Sequence, residues 1–428
     1  MPQKTPSDDS TTEPSSEKAR NLRRRALIRF HIWKDGPISR SQLAEKLGLN
    51  IPTISAFVGE LLDSGDVIEC GLASSTGGRK AQLLEVRADA GSVIGLTFSS
   101  RGISSAISDL HGKLANSQIY PFSVSVGKDK ALATLKQAVS YQLDFAKANP
   151  VFGPVRQIGL GISGLLNTNT GVSRAFPRFE EWADVPVRDL LSEKFGIPAV
   201  VDNHIAAIAL AESVSGQLRG YRNALFVQLG PGLGVGIVVG GRIYRGSRLN
   251  VGEFGHTTVG EDGPICYCGN YGCLESIASD YALTQQAEAA LREGVKTRIP
   301  EFTSVPGGRI TPGSIFRAAA AGDRFAINLI EKVARHLGTG IANLVNIFGP
   351  EQIVLGGTMA EAGDVLLNPL FNTLASRTLD PVEKGSEVRV SSFGKEEAMK
   401  GAVTLALYEF FSIELGGVFG DSERTPKV

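Results

Sequence analysis

Cysteine, histidine, methionine and tryptophan are scarce in this chain, with 4, 5, 3 and 2 copies among 428 residues. So few cysteines, behind a polar and not signal-like N-terminus, argue against a disulfide-built secreted scaffold. No apolar run reaches the roughly 20 residues that cross a bilayer, so no membrane partner is expected. A cytoplasmic protein with reduced thiols follows. Net charge is missing too: 44 Lys and Arg balance 44 Asp and Glu. Whole-chain charge therefore neither supports nor excludes nucleic acid, and only its distribution is informative. Hydrophobic content of 42% is ordinary for a globular protein, and the length predicts two or three domains.

Against that scarcity, three of the four cysteines fall within eight residues, just after a histidine. The spacing is His256-x9-Cys266-x-Cys268-x4-Cys273. Three thiolates and one imidazole suit a borderline-soft ion such as Zn²⁺ in a closed tetrahedral, structural site. Gly263, Gly269 and Gly272 allow a short loop to wrap around it. Cys266 and Cys268 are too near in sequence for an easy mutual disulfide.

Positive charge gathers near the start, at Lys18, Arg20, Arg23, Arg24, Arg25, Arg29, Lys34 and Arg40. Residues 1–17, rich in Ser, Thr, Pro and Asp, read as a disordered tail. A helix is expected from about Glu17 to Lys34, with Leu22, Ala26, Phe30 and Trp33 at helical spacing. Ser39 and Gln42 form a capping box for a short helix, Ser41 to Leu47. Asn50 caps the next one, whose Ile54, Phe57, Val58, Leu61 and Leu62 share a face. Its opposite face carries Thr53, Ser55, Ala56 and Gly59, small enough to sit close in a major groove. Two apolar segments, Val67–Cys70 and Ala81–Val86, flank Ser74 to Lys80. This is the pattern of a winged helix-turn-helix over residues 18–88. Arg79 and Lys80 stand at its wing tip, suited to a narrow minor groove. The expected partner is double-stranded operator DNA, read by Thr53, Ser55, Ala56, Arg79 and Lys80.

From Gly91 the pattern changes to alternating strands and helices. Strands are expected at Val93–Phe98, Gly102–Asp109, Val155–Ile162, Ala199–Val201, Leu225–Leu229 and Gly236–Val239. Helices are expected at Leu132–Asn149, Val187–Phe195, 204–214 and within Ile315–Asn346. A strand from Glu351 into Gly357 and a helix over about Glu396–Phe411 follow. Such a succession suits a two-lobed α/β unit with a central cleft.

The stretch Glu253-Phe-Gly255-His256, then Cys266-x-Cys268-Gly269-x-x-Gly272-Cys273-x-Glu275, resembles the signature of the ROK family of repressors, open reading frames and sugar kinases. The resemblance runs from about Lys18 to about Leu415. It implies an actin-like, sugar-kinase-like module over residues 89–415. Lobe one is expected at about 89–203 plus 396–415, lobe two at about 204–395, and 416–428 as a tail. It also places Asn203, Glu253, His256 and Glu275 at sugar-contacting positions, with His256 serving metal and ligand through different ring nitrogens.

The departures from the family kinases matter as much. Their Asp-x-Gly-Gly-Thr phosphate turn is replaced by Thr97-Phe98-Ser99-Ser100-Arg101. Their catalytic Asp, in an Asn-Asp-Ala-Asn run, is replaced by His204 after Asn203. A second phosphate turn, Gly230-Pro231-Gly232, carries proline in place of threonine. Arg178 stands where an asparagine is usual. The last change, with His204, suits either an acidic or phosphorylated sugar, or a pocket with no ligand. The expectation is a DNA-binding transcriptional regulator, a repressor, whose catalytically inactive ROK module senses a sugar or sugar derivative. A dimer or tetramer is expected, since one such domain reads a half-site. Two other readings stay open. One is a bifunctional sugar kinase with a DNA-binding domain; the other is a regulator whose ROK module serves only assembly.

Overall fold

The computed structural model describes residues 16–73, 80–99, 102–123, 125, 127–246, 251–305, 308–379, 387–412 and 415. The expected tails, the wing residues 74–79, and Ser100 and Arg101 thus lie outside the described residues, wholly or for the most part. The chain divides into two compact units. One is residues 1–90 with 408–428, the other residues 91–407.

The first unit holds helices α1 (Ser16–Asp35), α2 (Arg40–Leu47) and α3 (Ile51–Asp63) with strands β1 (Ile38–Ser39), β2 (Val67–Leu72) and β3 (Gln82–Val86). The strands form an antiparallel sheet in the order β1-β3-β2. Local chemistry sets the helix ends. Ser39 and Gln42 make the expected reciprocal cap on α2. Asn50 accepts from the Thr53 N–H to open α3. Ile54, Phe57, Val58 and Leu61 are buried, while Ser55 and Ala56 are exposed and Thr53 is half-buried. The α1 face differs from expectation. Leu22 is 52% exposed, whereas Ile28 and Ile32 are buried together with Ala26 and Phe30. Helix α1 is thus buried on more than one face, and on the expected one Phe30 and Trp33 pack on Tyr408 and Trp33 stacks on Phe411.

The second unit is built twice over. One five-stranded sheet has β4 (Ser92–Ser99), β5 (Gly102–Asp109), β6 (Leu114–Tyr120), β7 (Val155–Ile162) and β11 (Ala199–Asn203), ordered β11-β7-β4-β5-β6. The other has β12 (Ala224–Leu229), β13 (Leu233–Val239), β14 (Arg242–Ile243), β15 (Gln352–Gly356) and β16 (Glu387–Val390), ordered β14-β13-β12-β15-β16. In each, an antiparallel meander of three strands is extended by two parallel strands on its first member's free edge. A small sheet of β8 (Leu165–Asn167), β9 (Val172–Phe176) and β10 (Phe179–Val185) joins the first lobe.

Helices cover both sheets: α4 (Lys128–Ala148), α5 (Val187–Phe195), α6 (His204–Ser215), α7 (Leu274–Ala278), α8 (Asp280–Arg292), α9 (Pro312–Ala320), α10 (Arg324–Phe348), α11 (Asp364–Arg377) and α12 (Glu397–Ser412). The first lobe's core gathers Phe98, Phe176, Phe179 and Trp182 with the aliphatic residues of β4 and β7. The second lobe's core forms around β12, β15 and the buried face of α10. Helix α12 lies against the first sheet at Gly159, where a Cβ would strike Ala402 O. That contact needs glycine and brings the N-terminus of α12 to the cleft, which Glu397 and Ala398 line.

Candidate functional site: a metal cluster beside a ligand cleft

A cleft of about 1300 Å³ opens in the second unit. Its lining includes Thr97, Ser99, Arg178, Asn203, His204, Glu253, His256, Tyr267, Glu275, Tyr281 and Glu397. All four residues expected to contact a sugar thus share one cavity.

The wall around Glu253 is shaped by a tight loop after β14. His256 ends a single 3-10 turn, Phe254–His256. The cysteine loop folds back through isolated bridges Thr258–Cys273 and Ile265–Tyr271. Gly272 has φ 65°, and a Cβ there would strike Gly260 O, so this crossing requires glycine. The result brings one donor atom each from His256, Cys266, Cys268 and Cys273 within 4.8 Å of one another. Cys266 Sγ lies 3.6 Å from His256 Nδ1, and Cys268 Sγ lies 3.7 Å from Cys273 Sγ. Sulfurs bound at about 2.3 Å to one tetrahedral ion stand about 3.8 Å apart, whereas a disulfide needs about 2.05 Å. The donor set and spacing therefore fit a metal ion. The backbone N–H of Asn270 lowers the Cys268 thiol to about 7, while burial pushes Cys273 up to about 12. Cys70 belongs to the other unit and takes no part.

With Nδ1 facing the cysteines, His256 Nε2 is 3.1 Å from the Tyr267 hydroxyl. Glu275, on α7, accepts from the Leu233 N–H at 3.0 Å. Packing around the Glu253 carboxyl raises its pKa; His256 opposes the rise and Glu275 adds to it. Burial raises Tyr267 as well, helped by Glu275 and Glu253. Asn203 caps α6, its amide oxygen accepting from the Ile205 N–H at 2.9 Å. Its amide Nδ2 in turn donates to the Gly164 carbonyl oxygen at 3.5 Å. The preceding Asp202 is nearly fully buried and paired with Arg245 at 2.6 Å.

His204 takes the first position of α6, and its Nδ1 lies 3.4 Å from Ser163 Oγ. At the N-terminus of α12, Glu397 accepts from Gln228 Nε2 at 2.9 Å and from the Gly357 N–H at 3.1 Å, closing the turn after β15. Of these cleft residues, Tyr267, Tyr281 and Glu397 escape a sequence reading. Tyr267 lies inside the cysteine loop and could have been singled out as the residue between two ligands. Tyr281, on α8, falls beyond that motif and carries no local signal.

In the first unit, the open face of α3 presents Ser55 and Ala56, with Thr53 beside them, and Lys80 is exposed. Part of the basic charge at the start is structural. Arg25 pairs with Asp66 at 3.5 Å, Arg40 with Glu69 at 2.9 Å, and Lys46 with Asp35 at 2.8 Å.

A helix-turn-helix with a wing strand pair, joined in one chain to a two-lobed sugar-kinase-like unit, defines a class of regulator-like ROK proteins. The ROK family pattern matches residues 93–409, and a pattern described as winged helix-turn-helix DNA-binding matches residues 22–65. The chain belongs to the ROK family. The xylose repressor of Caldicellulosiruptor bescii is 31% identical over 375 residues, which cover 88% of this chain and 93% of the relative. The crystal structure of a ROK family transcriptional regulator, a homolog of the Escherichia coli MLC protein, superposes with a TM-score of 0.78 at 26% identity. It covers 94% of this chain and 99% of that one. A ROK glucokinase from Streptomyces griseus, in complex with glucose and AMPPNP, has a TM-score of 0.64 at 26% identity. It covers 74% of this chain and 99% of the kinase.

Proposed function

We propose that this chain is a transcriptional repressor that binds operator DNA through its first unit and senses a sugar or sugar derivative in its cleft. It does so without phosphorylating it. The observation that carries this reading is the chemistry at the head of α6. A kinase needs a carboxylate there to take the proton of the accepting hydroxyl, and this chain has His204. Thr97, Phe98 and Ser99 end β4 without the acid and the first glycine of the kinases' phosphate turn, and Ser99 pairs with Gly102. The repressor name of the Caldicellulosiruptor relative, aligned across nearly the whole chain, supports the same reading.

Glu253, Glu275, Asn203 and His256 hold the sugar hydroxyls. Zinc, held by His256, Cys266, Cys268 and Cys273, supplies a structural cross-link that fixes this wall and the imidazole's orientation. Thr53, Ser55 and Ala56 approach the major groove, and Arg79 and Lys80 the minor groove. The working form is a homodimer or homotetramer in the cytoplasm, so that two first units meet two half-sites. Within the chain, residues 18–88 serve DNA and 89–415 serve the ligand, with the last turn of α12 given to the first unit.

The test is selection of bound DNA from a random pool, repeated with and without a panel of sugars and sugar derivatives. Enriched operator sequences whose retention changes with one sugar are expected. A pool with no enrichment would end the repressor reading. One observation favours a second reading, a bifunctional sugar kinase: the cleft, at about 1300 Å³, has room for more than a monosaccharide. Sugar-dependent ATP turnover would decide for it.

A further inference from the structure

Arg178 enters the cleft on a strained turn. It is the second residue of the two-residue connection between β9 and β10, where Phe176 pairs with Phe179, and its φ is 59°. Glycine or asparagine takes that conformation readily, and a long side chain there marks a position held for its chemistry. Two rings hold it. The guanidinium carbon lies 4.3 Å from the centre of the Tyr281 ring and 5.3 Å from that of Tyr267. Among the described residues no carboxylate pairs with it and no acceptor takes its N–H groups. Aromatic faces orient a guanidinium while leaving its planar fork of donors available.

The position of this fork is set by its neighbours. The Tyr267 hydroxyl meets His256 Nε2, and the charges of Glu275 and Glu253 are felt at Tyr267. Arg178 therefore stands at the hydroxyl-reading end of the cleft. In the same cleft, His204 occupies a place where a carboxylate would repel an anion. A planar fork with all its edges available is matched by a carboxylate or a phosphate, bound through two parallel hydrogen bonds.

We propose that the cleft takes an anionic sugar, a polyhydroxyl ring carrying a carboxylate or phosphate, with the anion seated on Arg178 between Tyr267 and Tyr281. This rests on the sugar-sensing reading above and narrows it. The ligand places its hydroxyls on Glu253 and Glu275 and its charged group on the arginine. A neutral sugar leaves that charged end unmatched.

The experiment is calorimetric titration of the full chain with glucose, galactose, mannose and N-acetylglucosamine, each as the neutral sugar, the uronic acid and the 6-phosphate. At least one anion is expected to bind about tenfold or more tighter than its neutral parent, and the acid and phosphate arms separate the two sources. Arg178→Asn relieves the turn and should erase that advantage. Arg178→Lys should keep part of it, as a point charge without the fork. A neutral sugar that binds as tightly as both its anions, or an anion whose affinity survives Arg178→Asn, overturns this inference and leaves sugar sensing standing. A panel in which nothing binds overturns both.

Discussion

Arg29 Nη2 donates to the carbonyl oxygen of Phe410 at 3.3 Å, across 381 positions of sequence. Its guanidinium carbon also lies 5.2 Å from the Phe410 ring centre. Beside it, Trp33 and Phe411 stack with ring centres 5.1 Å apart and planes 15° from parallel. The last turn of α12 is therefore part of the core under α1, and Phe411 is only 3% exposed. Phe411→Ala should destabilise the first unit by about 3–5 kcal/mol, as expected for an emptied aromatic site. Denaturant unfolding followed by tryptophan emission, with operator affinity measured alongside, checks this. An unshifted Trp33 transition would show that α1 folds without the C-terminal turn.

Asp35, at the end of α1, accepts from His31 Nδ1 at 2.7 Å and from Lys46 Nζ at 2.8 Å. Burial acts to raise its pKa, but these two partners outweigh it and hold the carboxyl at about 2. The folded value lies below the unfolded one of about 3.9. The contribution is therefore complete above about pH 4 and is lost as pH falls toward 2. Asp35→Asn should cost on the order of 2 kcal/mol at pH 6 and progressively less below about pH 4. A cost that stays constant on acidification would assign the effect to shape rather than charge.

Local chemistry made much of this molecule legible. The caps at Ser39 and Asn50, the helix Val187–Phe195 and the strands Gly102–Asp109 and Val155–Ile162 stand where the pattern places them. Each is fixed by residues within a few positions of itself. The histidine–cysteine cluster was readable for a related reason: its four residues lie within one short stretch. The face of α1 was legible only in part: Phe30 and Trp33 meet Tyr408 and Phe411 from the far end of the chain, and Ile28 and Ile32 are buried as well. Helix α11 escaped notice, and Pro369 inside it reads as a break. The strands β8 to β10 were also missed, since their burial pattern owes more to packing on Phe98 than to strict alternation. For the cleft, Glu253, His256 and Glu275 came from one motif. Tyr281 is joined to Arg178 only by the fold.

The open face of α3 offers Thr53, Ser55 and Ala56 but no long basic side chain. Affinity should then rest heavily on Arg79 and Lys80. Arg79→Ala is expected to weaken operator binding by about 1–3 kcal/mol, with a smaller loss for Lys80→Ala. Titration of labelled operator at physiological salt measures both. Unchanged affinity in Arg79→Ala would leave specificity with the helix.

The cysteine cluster predicts about one zinc per chain. Cys268→Ser should lose the ion and lower the stability of the second lobe, because a structural metal contributes folding free energy. Cys70→Ser should retain it. Metal analysis of protein purified without chelator is the check, and the absence of zinc there would sink the assignment.

The replacement of a catalytic acid by His204 gives the last prediction. A histidine can accept a proton, so on its own the change would leave a slow kinase. General-base catalysis contributes about 10²–10⁴-fold, whereas positioning the reacting groups contributes more. On the proposed reading, positioning is the larger loss. The ladder of β4 and β5 runs on to Ser99 and Gly102, and Ser99 brings a side chain to the place of the first glycine in the kinases' phosphate turn. His204 is also anchored beside Ser163 at the head of α6. The wild type should show no sugar-dependent ATP hydrolysis above background. His204→Asp should restore none, because the base returns to a site that cannot hold the phosphates in line. Coupled ATPase assays over the sugar panel, for both proteins, decide this. Turnover at an enzyme-like rate in the wild type would replace the sensor with a bifunctional kinase. A gain only in His204→Asp would mean that the altered strand end still positions ATP, and that the lost acid alone had silenced the site.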